Sequence, residues 1–221
     1  MPTLIVTGVG TDIGKTYVSA GLIGALRDNG VAVDAFKPVL SGYDAAQAEA
    51  SDAGVLLTAL GRPVTPETIE AIAPFRYAAP VSPPLAAARE GRSIRFAEVA
   101  GACRERMADA GRALLLIEGA GGVMSPLSDG ATVLDLIEAL AVPVLLVTGT
   151  YLGAISHTLT AVEVMRRRGV TIRAVVVNES AEPGATLEET HEALRVLAGG
   201  VPVLTVARDG EVPEDLLRLI C

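Results

Sequence analysis

The chain has 221 residues with a formal net charge of −8, half of them hydrophobic and only 20% charged. That length suits one α/β domain with a single large core, and the apolar content is ample to fill it. The acidic balance argues against a nucleic-acid binder, because neutralising phosphates requires clustered Lys and Arg. The only basic run, Arg166-Arg167-Arg168, falls at the end of a predicted helix, where cations complement the helix dipole.

The N-terminus, Met1-Pro2-Thr3-Leu4, runs straight into a short apolar strand, without the basic stretch and long apolar segment of a secretory leader. No apolar run approaches the length needed to span a bilayer. Cys103 and Cys221 have neither metal-ligand spacing nor a disulfide framework. A cytoplasmic protein with no membrane partner is expected.

Along the chain, short Val/Ile/Leu-rich runs alternate with helical patterns. Strands are predicted over Leu4–Thr7, Val31–Lys37, Arg112–Glu118, Val142–Thr148, Ile172–Asn178 and Val201–Val206. Their lack of polar alternation is the mark of parallel strands covered on both faces. Helices are predicted over Lys15–Asp28, Ala45–Leu60, Phe96–Ala110, Val133–Leu140, Ile155–Arg168, Leu187–Leu197 and Pro213–Ile220. Gly30, Gly111 and Gly169 stand between helix and strand, where a left-handed C-cap needs glycine. The proline-rich stretch Arg62–Pro84 reads as an ordered irregular loop over one face. Repeated strand–helix–strand order implies right-handed crossovers. The expected fold is α/β: one doubly wound, mainly parallel sheet with helices on both faces, a single domain over residues 1–221.

The strongest chemical signal is Gly8-Val9-Gly10-Thr11-Asp12-Ile13-Gly14-Lys15-Thr16, directly after the first strand and opening the first helix. Glycines let successive backbone N–H groups turn toward phosphate oxygens, and the helix N-terminus adds positive charge. Lys15 can reach the β- and γ-phosphates, and Thr16 can place its hydroxyl on Mg²⁺. Five residues, not the usual four, separate Gly8 from Gly14. Glu118 ends the third strand and precedes Gly119-Ala120-Gly121-Gly122, at the sheet edge where open α/β folds bind ligands. It is either a metal ligand or a solvated strand-end acid. Asp52, after Ser51, reads on its own as a helix N-terminal acid. Lys37, ending the second strand before Pro38-Val39-Leu40-Ser41-Gly42, is either a phosphoryl-transfer cation or a surface lysine.

Together these motifs resemble the dethiobiotin synthetases. The resemblance rests on Val6-Thr7-Gly8 with the long loop to Gly14-Lys15-Thr16, on Lys37-Pro38-Val39 with Ser41-Gly42, and on Ser51-Asp52 and Ser82-Pro83. It continues through Glu118-Gly119-Ala120-Gly121-Gly122, Leu152-Gly153 to His157, and Asn178. It covers most of residues 1–178; the last 40 or so match poorly. The family's reaction takes 7,8-diaminopelargonate, CO₂ and ATP to dethiobiotin, ADP and phosphate, with Mg²⁺.

The resemblance implies a role for each matched position. Thr11, Asp12, Ile13, Gly14, Lys15 and Thr16 would bind nucleotide, with Asp52, Glu118, Gly119, Ala120, Gly121 and the adenine-reading Asn178. Thr16, Asp52 and Glu118 would hold Mg²⁺, and Lys37 would be the catalytic lysine. Asp12, Lys37 and Ser41 would contact the diamine. Gly153, Ala154, Ile155 and Ser156 would bind its carboxylate across a homodimer interface. His157 reads as an ordinary first-turn residue. After the last strand, Thr205-Val206-Ala207-Arg208 departs from the glycine- and proline-containing turn that lies against adenine in family members.

Other classes fit less well. Partition and septum-positioning ATPases carry a lysine four positions before the last loop glycine, where this chain has Gly10. A regulatory nucleotide-binding domain would not need Lys37, Ser41, Asp52 and Glu118 together. Cobyrinate-type amidotransferases need a glutaminase domain that 221 residues cannot contain.

Overall fold

The computed structural model describes residues 3–220; Met1, Pro2 and Cys221, read above from sequence, lie outside the described residues. The chain opens with β1 (Thr3–Gly8), α1 (Lys15–Asp28), β2 (Val33–Phe36) and a short β3 (Val39–Ser41). A 3-10 helix over Ala45–Ala50 leads into α2 (Asp52–Ala59), α3 (Pro66–Ile72), β4 (Phe75–Tyr77), α4 (Pro83–Arg89) and α5 (Phe96–Asp109). Next come β5 (Leu114–Glu118), a small hairpin of β6 (Pro126–Ser128) and β7 (Ala131–Thr132), and α6 (Val133–Leu140). The remainder is β8 (Val144–Thr148), α7 (Ala154–Arg167), β9 (Ile172–Asn178), α8 (Leu187–Leu197), β10 (Val203–Val206) and α9 (Glu214–Ile220).

The six strands expected from the apolar runs form one sheet in the order β10-β9-β8-β1-β5-β2, and every adjacent pair is parallel. Alternate residues of each strand serve different cores. Leu4 and Val6 of β1, Leu116 of β5 and Val147 of β8 pack with Val18 and Leu22 of α1, Leu56 and Leu57 of α2, and Leu216 of α9. Ile5, Leu115, Ile117 and Leu146 point the other way, onto Val99 and Cys103 of α5, Leu134 and Ile137 of α6, and Met165 of α7. Both faces being covered explains why these strands read as continuous apolar runs. Gly30, Gly111 and Gly169 do adopt left-handed φ values of 72°, 59° and 71°, ending helices as their position requires. Among the described residues, no helix is long and apolar enough to cross a membrane.

Two local readings need correction. The pattern over Ala45–Leu60 is not one helix. Ser51 takes an extended conformation and its hydroxyl accepts the Gly54 N–H, so α2 starts afresh after the 3-10 turn. A serine N-cap competes with continued helix because its side chain satisfies an otherwise unpaired amide. The stretch Arg62–Pro84 is also more regular than a loop. Thr65 caps α3 with Pro66 in its first turn, Pro83 opens α4, and β4 between them pairs in parallel with β3. Proline there starts helices instead of excluding them, since its ring fixes φ where no N–H is needed. The arginine run lies where expected, with Arg166 and Arg167 in the last turn of α7 and Arg168 at its C-cap. Arg166 donates to Ala198 O at 2.8 Å, Arg167 to Glu163 at 2.7 Å, and Arg168 bridges from α7 to Asp135 and Glu138 of α6.

The outer end of the sheet is fixed by an acid on β2. Asp34 accepts from Arg62 Nη1 at 2.9 Å and Arg106 Nη2 at 2.6 Å, tying α5 and the turn after α2 to the edge strand. Its side chain is only 12% exposed and that of Arg106 23%, so this bond is little weakened by water, whereas Arg62 is 44% exposed and its bond is screened more. Replacing Asp34 with Ala is expected to cost about 2 kcal/mol in urea denaturation, the scale of lost hydrogen bonds between charged groups. A loss near zero would mean that water replaces the carboxylate.

Candidate functional site

Strand register assembles the site. In the sheet, Val6 of β1 lies beside Glu118 of β5, and Phe36 of β2 lies beside Ile117. The residues just past these strand ends therefore meet at one carboxyl edge: the glycine-rich loop after β1, Lys37 after β2, and the Glu118–Gly119 exit of β5.

Backbone conformation of the loop after β1 depends on small residues. Gly14 caps α1 at φ 89°, and a Cβ there would lie 2.2 Å from Asn178 Nδ2. Asp12 also sits at positive φ, 56°, a conformation aspartate tolerates better than most residues. Lys15 folds back over the loop, donating to Gly10 O at 2.9 Å. It is largely buried, and burial with the nearby Lys37 ammonium lowers its pKa from 10.5 to about 8.

Lys37 and Glu118 are 3% and 1% exposed. Lys37 Nζ donates to Glu118 Oε1 at 2.7 Å and Gly119 O at 3.1 Å, and stands 2.9 Å from Asp52 Oδ2. Three ammonium hydrogens thus have three acceptors. Burial opposes the charge on Lys37, but Glu118 and Asp52 outweigh it and raise its pKa above the usual lysine value. Burial likewise pushes against ionised Asp52, yet Lys37 and the Thr16 hydroxyl hold its carboxyl below the ordinary range. Thr16 Oγ1 donates to Glu118 Oε1 at 2.8 Å. The second oxygen, Glu118 Oε2, is buried without a hydrogen-bond partner, as is Ser41 Oγ.

These groups open into a cleft of about 800 Å³. Thr11, Asp12, Gly14, Lys15, Thr16, Lys37, Ser41, Asp52, Ala120 and Gly121 of the expected positions line it. Glu118 and Gly119 lie just beneath, in contact with Lys37. Ile13 is buried under the loop against Gly8. Asn178 adjoins Gly14 from the β9 side, with Nδ2 donating to Ile13 O at 3.2 Å. Gly153, Ala154, Ile155 and Ser156 are not part of the cleft lining; they start α7, where Gly153 at φ 98° provides no side-chain cap. Next to them Tyr151 and His157 share a hydrogen bond of 2.9 Å.

Sequence reasoning missed Pro80, Val81 and Ser125 as cleft-lining residues. The first two fell inside the stretch read as an irregular loop; only the unseen β3–β4 pairing could have brought them over the cleft. The segment after β10 is ordered against α1, with Tyr17 Oη donating to Gly210 O at 2.6 Å and Val212 packing on Gly21. The turn after β10 falls at Arg208–Asp209, and Gly210–Pro213 leads from it into α9.

A parallel sheet whose central strand feeds a glycine loop, a lysine and a threonine into a helix N-terminus defines a P-loop nucleotide-binding protein. A family model described as an AAA domain matches residues 2–214. The ATP-dependent dethiobiotin synthetase BioD of Phenylobacterium zucineum is 51% identical over 95% of this chain and 90% of its own length. The protein of that name from Methylobacterium nodulans is 51% identical over 100% and 99%. The chain belongs to the ATP-dependent dethiobiotin synthetase family.

Solved structures show the same fold at far lower identity. A ParA family ATPase from Chlorobium tepidum has a TM-score of 0.52 at 14% identity, covering 98% of this chain and 86% of that one. A MinC:MinD cell division complex from Aquifex aeolicus gives 0.53 at 10%, covering 100% and 85%.

Lys15 provides a pH test. Its folded pKa of about 8 lies below the unfolded value of 10.5, so the cost of burying the charge is present in full below pH 8. That cost is relieved as pH rises from 8 toward 10.5, where the unfolded chain binds more protons. Wild type is therefore expected to gain stability relative to Lys15→Met between pH 8 and 10 in paired denaturation curves. A difference that stays flat would place the titration elsewhere.

Proposed function

We infer that this chain is an ATP-dependent dethiobiotin synthetase, acting as one domain over residues 1–221 in biotin biosynthesis. Its substrates on this reading are 7,8-diaminopelargonate, CO₂ and ATP. The observation that carries the inference is the buried Lys37, bonded to Glu118 and facing Asp52, in one cleft with Lys15, Thr16 and Ser41. This arrangement stands in a chain about half identical to named synthetases over nearly its full length.

The donor set fits Mg²⁺. Thr16, Asp52 and Glu118 supply hydroxyl and carboxylate oxygens, and Glu118 Oε2 is a buried acceptor with no partner. Among the described residues no group of three or more His, Cys, Asp or Glu could cage a metal unaided. That shortfall suits an ion that keeps phosphate oxygens and waters in its shell. When bound, it would neutralise charge on the β- and γ-phosphates.

The chain's own groups account for the rest. One amine of the diamine adds to CO₂ and loses a proton, giving a carbamate. A carbamate oxygen attacks the γ-phosphorus and ADP leaves, so a poor electrophile acquires a phosphate leaving group. The neighbouring amine then attacks the carbonyl carbon, expels phosphate, loses a proton and closes the ring. Lys15, reaching from the helix N-terminus, and Lys37, whose charged form Glu118 and Asp52 favour, stand where negative charge is handled. Backbone amides of Thr11–Thr16 and of Gly119–Gly121 would hold the phosphates. Asp12 and Ser41, both lining the cleft, would orient the diamine, and Asn178 would read the base.

We further propose a homodimer in which the start of α7 receives the diamine carboxylate bound to the partner. No capping side chain covers the first amides of that helix, and Leu152 beside them is 89% exposed. A cytoplasmic location fits Cys103, a buried free thiol whose pKa burial pushes up to about 12.

Phosphate release from Mg·ATP with bicarbonate, with and without the diamine, tests the reading while dethiobiotin is followed by mass. Release that requires the diamine and matches product is expected; hydrolysis indifferent to the diamine would refute the synthetase reading. Lys37→Ala is expected to lower kcat roughly 10²- to 10³-fold while nucleotide still binds in calorimetry. Loss of binding together with turnover would move Lys37 from catalysis to nucleotide affinity. Lys15→Ala is expected to abolish nucleotide-dependent turnover, and near-normal turnover there would refute the P-loop site.

A further inference from the structure

After β5 the segment Gly119–Ser125 crosses over the phosphate-binding loop before Pro126 begins the hairpin. The two segments are joined backbone to backbone: Gly119 N–H donates to Val6 O at 2.9 Å, and Val123 N–H to Gly8 O at 2.8 Å. At Gly122 they approach so closely that a Cβ would stand 3.0 Å from backbone atoms of Val9 and Gly10. Gly121, at φ 70°, has its Cβ position only 2.4 Å from Ser125 Oγ.

A single side chain closes this turn. Ser125 Oγ accepts the Gly122 N–H at 2.7 Å, while Ser125 N–H donates to Gly122 O at 2.9 Å. Both backbone polar groups of Gly122 therefore end on Ser125. Ser125 O in turn accepts the Val133 N–H at 3.0 Å, which ties the turn to the start of α6. Gly122 is buried, so an unpaired N–H there would carry its desolvation cost and be relieved only by moving the turn. The cleft wall that would move is Ala120 and Gly121, beside Thr11.

We propose that Ser125 is a positioning residue for phosphoryl transfer: its hydroxyl fixes the Gly121–Gly122 turn, and through it the backbone wall facing the reacting phosphate. This inference rests on the synthetase reading. It assigns Ser125 no contact with substrate and leaves nucleotide binding to the loop after β1. A wall out of place should therefore slow turnover more than it weakens affinity.

The test compares wild type with Ser125→Ala and Ser125→Thr, in diamine-dependent phosphate release with dethiobiotin detected, alongside nucleotide calorimetry. Ser125→Ala is expected to lower kcat roughly 10- to 100-fold, the scale of a misplacement near 1 Å, with nucleotide Kd changed less than about threefold. Ser125→Thr, which keeps an acceptor oxygen at the same atom, is expected to restore turnover. If the alanine variant does not fold, Ser125→Cys, nearly isosteric but a weak acceptor, takes its place with the same expectation. Turnover like wild type without the hydroxyl, or a threonine variant as slow as alanine, would overturn the role of Ser125 alone. Wild type that makes no dethiobiotin would overturn the synthetase reading and this role with it.

Discussion

An ammonium and a carboxylate, both almost out of water, meet at the carboxyl edge of the sheet where Lys37 binds Glu118. Such a pair is costly to create, because each charge loses its hydration, and it holds only where further partners complete both groups. Here Asp52 and Gly119 O complete the ammonium and Thr16 binds Glu118 Oε1, while Glu118 Oε2 keeps no partner of its own. The need for those partners constrains much of the surrounding structure. β5 must lie between β1 and β2, their register must bring Ile117 beside Phe36, and α1 must start at Lys15 so that Thr16 faces the carboxylate. Removing any one of these would leave a buried charge uncompensated.

Most of the fold was legible because its signals are local or periodic. Six apolar runs became the six strands of one sheet, and the helices at Lys15, Val133 and Leu187 began where expected. Ser51 shows where periodicity misleads: an apolar pattern continued across a residue whose hydroxyl stops the helix. The pairing of β3 with β4 was invisible for another reason. Each strand has three residues, too few to carry an alternation, and their partnership depends on distant chain.

The site was legible by type more than by geometry. Gly8–Thr16 was the strongest signal, since glycines, a lysine and a threonine at a strand–helix junction are what a phosphate loop requires. Lys37 and Glu118 were left open between chemistry and surface, and burial is what separates the two. That both are almost fully enclosed follows from the sheet order, which no single stretch of sequence encodes. Ser125 gave no signal, because one serine among many acquires meaning only through the glycine amide it caps. The ParA and MinC:MinD structures share the fold at 14% and 10% identity, whereas the synthetases match across nearly the whole chain. Architecture is thus common property of the class, and chemistry must be argued from the cleft.

The strand order also sets a schedule for the growing chain. β1 has β5 and β8 as neighbours, and β2 has only β5, so no ladder of the main sheet can close before Leu114 has been synthesised. Until then the phosphate-binding loop hangs from a strand with no sheet around it, and its helix must rest on α2 and local contacts. Parallel pairings over such spans form slowly and leave apolar strands open in the meantime. The first half of this protein is therefore the part with most to gain from a chaperone during translation, and the carboxyl edge with its cleft is completed only as the middle of the chain arrives.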